Sequence, residues 1–127
     1  MTRIIERFLE ELDNGFDIAT LETEICNEAF DNNAECECVY GGSYDYFDTH
    51  MMQWYPGDGA EYEVNGYNDY INEIVDNLST FIADRYGVVA DDELKADVKK
   101  NLTDIFQDCV LSDDDFEDKA IEEYENY

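Results

Sequence analysis

The sequence predicts an α+β fold, a small antiparallel sheet of three to four strands flanked by about five helices. Three observations lead there. Apolar residues recur at helical spacing near both ends of the chain, and between residues 35 and 64 the period drops to two, broken by Gly-Gly and Pro-Gly-Asp-Gly. The 127 residues are 44% hydrophobic and 14% aromatic, enough for a core and unlike an acidic disordered tail, which lacks aromatics. The expected organisation is a single domain, 1–127, made of a helical hairpin (1–34), a sheet (35–64) and three helices (67–127).

Taken in order, Ile4, Ile5, Phe8, Leu9 and Leu12 form one helical stripe over Thr2–Leu12, with Gly15 as its stop. Ile18, Leu21, Ile25 and Ala29 mark a second helix over Ile18–Phe30. Cys36, Cys38 and Tyr40 alternate with Glu35, Glu37 and Val39, as in a strand with two unlike faces. Ser43–Asp48, Met51–Tyr55 and Ala60–Val64 supply the further strands. Tyr67, Tyr70, Ile71, Ile74, Leu78, Phe81 and Ile82 then fit a long helix over Tyr67–Tyr86, ended by Gly87. Asp91 or Asp92 caps the next helix, whose stripe is Leu94, Val98, Leu102, Ile105, Phe106 and Cys109. Ser112 caps the last, where Phe116, Ala120 and Tyr124 face the core.

Charge is the dominant feature. There are 34 Asp and Glu against 7 Lys and Arg, a net charge of −27. From Phe8 to Asp84, 77 residues carry 19 acids and no Lys or Arg, and Ser112–Tyr127 carries eight acids and one Lys. Two carboxylates about 6 Å apart repel by about 0.7 kcal/mol in water and about 3 kcal/mol at an effective dielectric near 20. Acids therefore run through the folded elements at an energetic disadvantage that function has to justify. Charge of this sign repels nucleic acid and anionic membranes, so neither is expected as a direct partner. No apolar run is long enough for a membrane span, and the charged N-terminal stretch is unlike a signal peptide, which together point to the cytoplasm.

Catalytic signals are weak. His50 is the single histidine and lies in no recognisable nucleophile context; no GxSxG, GxGxxG or Walker pattern occurs. Cys26, Cys36, Cys38 and Cys109 lack the CxxC pairs of a zinc site and read as small apolar core residues, not as metal ligands or disulfide partners. Acid runs starting at Asp13 and Asp113 place Ile18 and Asp118 where a calcium loop needs glycine. No metal, cofactor or catalytic residue is expected.

The acids themselves are thus the candidate binding residues. Asp69, Glu73 and Asp76 fall at i, i+4 and i+7 on the long helix. The sheet region adds Asp45, Asp48, Glu61 and Glu63. The final helix adds Asp113, Asp114, Asp115, Glu117, Asp118, Glu122 and Glu123. Acids at i and i+4 on a helix stand about 6 Å apart, close to the axial spacing of every second phosphate along a DNA strand.

In small size, extreme acidity, abundant Tyr and Phe, scarce Lys and the ending Ile121-Glu122-Glu123-Tyr124-Glu125-Asn126-Tyr127, the chain resembles the DNA-mimic proteins of bacteriophages and mobile elements. These are the Ocr-type and ArdA-type antirestriction proteins and the acidic anti-CRISPR proteins. Val39-Tyr40-Gly41-Gly42-Ser43-Tyr44 is similar to the opening strand and turn of ArdA-type proteins. The resemblance implies a non-catalytic inhibitor occupying the DNA-binding cleft of a restriction-modification enzyme or CRISPR effector. The partner is then a basic DNA- or RNA-handling protein, and a homodimer would lengthen the acidic surface. An immunity protein or antitoxin against a basic nuclease, and an acidic secretion-type chaperone, are the alternative readings.

Overall fold

A computed structural model describes residues 3–40, 43–48, 53–55, 61–107 and 109–126, with side chains for 4–36, 63–107, 109–124 and 126. Ten elements follow in chain order: α1 (Arg3–Asp13), α2 (Ile18–Asn33), β1 (Glu35–Tyr40), β2 (Ser43–Asp48), β3 (Gln53–Tyr55), β4 (Glu61–Asn65), α3 (Tyr67–Tyr86), α4 (Asp92–Lys100), α5 (Leu102–Ile105) and α6 (Asp113–Asn126). The chain is mostly helical with a small antiparallel sheet, so the α+β class stands. It divides into two compact units, Met1–Glu28 with Ile71–Cys109 and Ala29–Tyr70 with Val110–Tyr127. Both α2 and α3 contribute residues to each. Among the described residues no helix is long and apolar enough to cross a membrane.

In the first unit, the stripe on α1 delivers Ile5 and Phe8 to full burial, joined by Ile74, Leu78 and Ile82 from α3 and Val98 from α4. Phe8, Phe16 and Phe81 form an aromatic triangle with centroids 5.9–6.1 Å apart. Phe8 meets each of the other two edge to face, a geometry that adds about 1 kcal/mol per pair beyond the area it buries. Asp91 caps α4, its Oδ1 accepting from the Leu94 amide at 2.9 Å.

Two expectations are corrected here. The single helix expected beyond Asp91 is divided at Asn101 into α4 and α5, which makes six helices among the described residues where about five were expected. Asn101 is buried, and its side-chain amide donates to the Asp97 carbonyl at 2.8 Å while its backbone leaves helical geometry at φ −106°, ψ 12°. A short amide side chain that competes for backbone partners breaks a helix in this way. The second correction is covalent: Cys26 and Cys109 form a disulfide, their Cα atoms 6.4 Å apart across 83 residues of sequence. Cys109 leaves the helical register because Phe106 is already extended, at φ −108° and ψ 105°, which carries the chain to α2.

The second unit is built on the antiparallel sheet, in the order β3-β2-β1-β4. β1 is central, its Cys36 opposite Phe47 of β2 and Val64 of β4. α6 lies against β1 and β4. Phe30, Tyr70 and Phe116 form the core, with the Phe116 centroid 5.3 Å from Phe30 and 5.1 Å from Tyr70, and all three are essentially inaccessible. Full burial of one such side chain is worth about 1.5–3 kcal/mol. Cys36 is also fully buried. Gly66 makes the turn from β4 into α3 at φ +104°, and a Cβ there would overlap the Asn33 carbonyl.

Candidate partner-binding surface

The last helix starts where the sequence calls for it. Ser112 Oγ accepts from the Asp115 amide at 3.2 Å, freeing the chain to begin α6 with three acids in its first turn. Carboxylates are favoured there because they face the positive end of the helix dipole. Phe116, Ala120 and Tyr124 are buried, while Asp114, Asp118 and Glu122 are exposed. Both sets run at i, i+4, i+8, on roughly opposite faces. The exposed set is therefore a row of carboxylates about 6 Å apart along the axis, winding slowly around the helix. Asp113, Asp115 and Glu117 are exposed beside it.

Little in this unit neutralises that row. Its sequence carries 17 acids and one cation, Lys119, for a net charge of −16, whereas the first unit sets six Lys and Arg against 17 acids, a net charge of −11. The Lys119 ammonium lies 4.2 Å from the centroid of the Phe30 ring, so it is directed at the core. Glu123 is half-buried beside it. Burial raises its pKa above the ordinary value, Lys119 opposes that rise, and Asp31 and Glu122 add to it. Glu123 therefore belongs to the seam under the helix, in contrast to the exposed row.

On the sheet, register sorts the expected acids. Paired positions share a face and alternate along each strand. Asp48, Glu61 and Glu63 fall on one face together with Glu35 and Glu37, since Glu35 pairs with Asp48, Glu37 with Glu63 and Val39 with Glu61. Asp45 pairs with Cys38 and so takes the opposite register face, that of Cys36. The odd spacing of three residues between Asp45 and Asp48 already separates their registers. Glu35 and Glu37 share the register face of Asp48 and are not among the acids expected from the sequence. The side chains of Asp45, Asp48 and Glu61, like His50, Cys38 and the Trp54–Tyr55 pair considered as apolar anchors, lie outside the described side chains. Glu63 is exposed.

The row expected on α3 falls in two parts. Asp69 belongs to the second unit, exposed beside Asp113 in a polar cleft of about 420 Å³. The same cleft is lined by Tyr67, whose hydroxyl donates to the Leu111 carbonyl at 2.8 Å and whose pKa is raised by burial and then by Asp113. Glu73 and Asp76 belong to the first unit, where Glu73 is half-buried and Asp76 sits 3.4 Å from the Lys95 ammonium.

Two arginines of the first unit have similar local uses. Arg85 bonds Glu11 at 2.7 Å and stacks over Phe16, and Arg7 stacks over Tyr86. The Arg85 and Tyr86 hydrogen bonds hold the Glu11 pKa below the ordinary value. Among the described residues no group of three or more His, Cys, Asp or Glu is gathered in a way that would hold a metal ion. No family model matches the chain, and neither a curated protein nor a solved structure matches it.

Proposed function

We propose that the protein is a non-catalytic inhibitor that presents its acidic surface in place of nucleic acid and blocks the DNA-binding cleft of a bacterial defence protein, a restriction-modification enzyme or CRISPR effector. The observation that carries this reading is the exposed row Asp114, Asp118 and Glu122 in a unit whose one cation is turned onto Phe30. A solvated face of ordinary use intersperses opposite charges to limit repulsion. This one forgoes that relief. Its carboxylates, at near-phosphate spacing, would meet the Lys and Arg side chains that a DNA-handling cleft already displays, with steered association that weakens steeply with salt.

The test is capture from bacterial lysate on the tagged protein at about 0.1 M salt, where screening extends about 10 Å. Elution with duplex DNA is compared with elution by salt. The expected result is a DNA-handling protein released by both. A triple variant, Asp114→Asn, Asp118→Asn and Glu122→Gln, should lose most of that capture while its fold stays about as stable as the parent's, because relief of two like-charge i,i+4 pairs of about 0.2–0.5 kcal/mol each offsets the loss of the Asp114 charge at the helix N-terminus. A partner that resists both DNA and high salt would overturn mimicry.

A further inference from the structure

A second acidic feature lies in the first unit and differs in character from the row on α6. The end of α1, the start of α2 and α5 enclose an open cleft of about 440 Å³. Its walls include the aliphatic side chains of Leu9, Leu12 and Ile18, all only half-buried, and the carboxylates Asp13, Glu22 and Asp104 come to it from three different elements. Among the described residues that line it, none is Lys or Arg. Asp13 ends α1, whose last turn contains no basic residue, so the negative end of that helix adds to the same potential.

We infer that this cleft receives a Lys or Arg side chain from the basic partner. The lining joins two requirements that an acidic patch alone does not meet. A long cationic side chain carries an alkyl stem that gains from apolar contact and a head group that needs carboxylates or water. A cleft with aliphatic walls and three carboxylates serves both ends at once. A bare metal ion gains nothing from the leucines, and a neutral apolar ligand would have to desolvate the acids. The arginine fork is the better fit, being more weakly hydrated than an ammonium and able to bond two carboxylates at once. The inference deepens the proposed function, on which it rests for the identity of the partner, by giving the first unit a defined part in the contact.

The site is tested on the protein alone with n-butylguanidinium as the probe, read by amide and methyl chemical shifts at about 0.1 M salt. Saturable shifts centred on Leu9, Leu12 and Ile18 are expected, with a dissociation constant on the order of millimolar for so small a ligand. Neutral n-butylurea, which has the stem without the charge, and guanidinium, which has the charge without the stem, should each bind about tenfold more weakly. The combined variant Asp13→Asn, Glu22→Gln and Asp104→Asn should weaken the probe by a similar factor and should weaken partner capture. Shifts that spread over α6 as strongly as over the cleft, equal binding of guanidinium alone, or a variant that binds the probe and the partner undiminished would each overturn the inference. Failure to capture any DNA-releasable partner would instead remove the proposed function, since the probe experiment needs no partner.

Discussion

The Lys119 ammonium and the Phe30 ring, 4.2 Å apart, hold the one cation of the second unit against its aromatic core. An ammonium over a ring face is worth about 1 kcal/mol when partly exposed. Lys119→Gln should therefore lower the unfolding free energy by about that amount in urea titration. It also removes the charge that restrains Glu123, so the Glu123 pKa should rise further. Capture of a basic partner should be undiminished, since the substitution makes the unit more negative. A loss of capture would mean that Lys119 contacts the partner.

Glu123 and Glu11 should give opposite pH signatures. Burial raises the Glu123 pKa in the folded state, so that state takes up a proton more readily than the unfolded chain. Its contribution is fully favourable below the unfolded pKa and is lost as pH rises through the folded one. Glu123→Gln should raise the melting temperature at neutral pH, and the gain should vanish below about pH 4. Glu11 has a lowered pKa because Arg85, then Tyr86, bond its carboxylate. Its contribution is present above the unfolded pKa and disappears as pH falls through the folded one, so Glu11→Gln should destabilise at neutral pH and converge with the parent in acid. Melting curves of both variants from pH 3 to 8 check the signs.

Two glycines with similar backbone angles should respond differently to alanine. Gly66 at φ +104° and Gly15 at φ +96° both lie in the region that disfavours side chains. At Gly15 a Cβ meets nothing within 4 Å, so Gly15→Ala should cost about 1 kcal/mol of backbone strain. At Gly66 it overlaps the Asn33 carbonyl, and Gly66→Ala should cost about 3 kcal/mol or more because backbone has to move. Equal losses in denaturant titration would show that the turn into α3 relaxes freely.

The Cys26–Cys109 disulfide closes a loop across 83 residues. Chain entropy for a loop of that length corresponds to about 4 kcal/mol of stability. The urea midpoint should fall on adding dithiothreitol, and a Cys26→Ala, Cys109→Ala variant should start at the lower midpoint and be insensitive to the reductant. A parent protein whose midpoint does not move would show that the bridge contributes nothing to equilibrium stability.

Elements defined by short-range patterns were readable from the chain. Ser112 followed by Phe116, Ala120 and Tyr124 specifies a capped helix with one buried face, because capping and the 3.6-residue repeat act within a few residues. Asp91 and Gly87 mark α4 and the end of α3 for the same reason. Where a local rule had a second tenant it was missed: Asn101 sits inside a good apolar stripe, and only its burial and its bond to the Asp97 carbonyl show that it ends a helix. The candidate acids were legible as a set but not as surfaces. Spacing alone places Asp114, Asp118 and Glu122 in a row, and the parity of Asp45 and Asp48 separates them, whereas which acids face solvent depends on what packs behind each one.

The sequence by itself determined the α+β class, the order of elements and the acidity, because composition, period and capping are properties of the chain and its near neighbours. The tertiary structure decided the rest: that Cys26 bonds Cys109, that Lys119 turns onto Phe30, that Glu123 is half-buried beside exposed Glu122, and that Leu9, Ile18 and Asp104 share one cleft. Each of these depends on an environment that residues distant in sequence help to build. The propensities of the parts do not encode which distant surfaces will bury against one another, and burial sets both the value of a charge and the company it keeps.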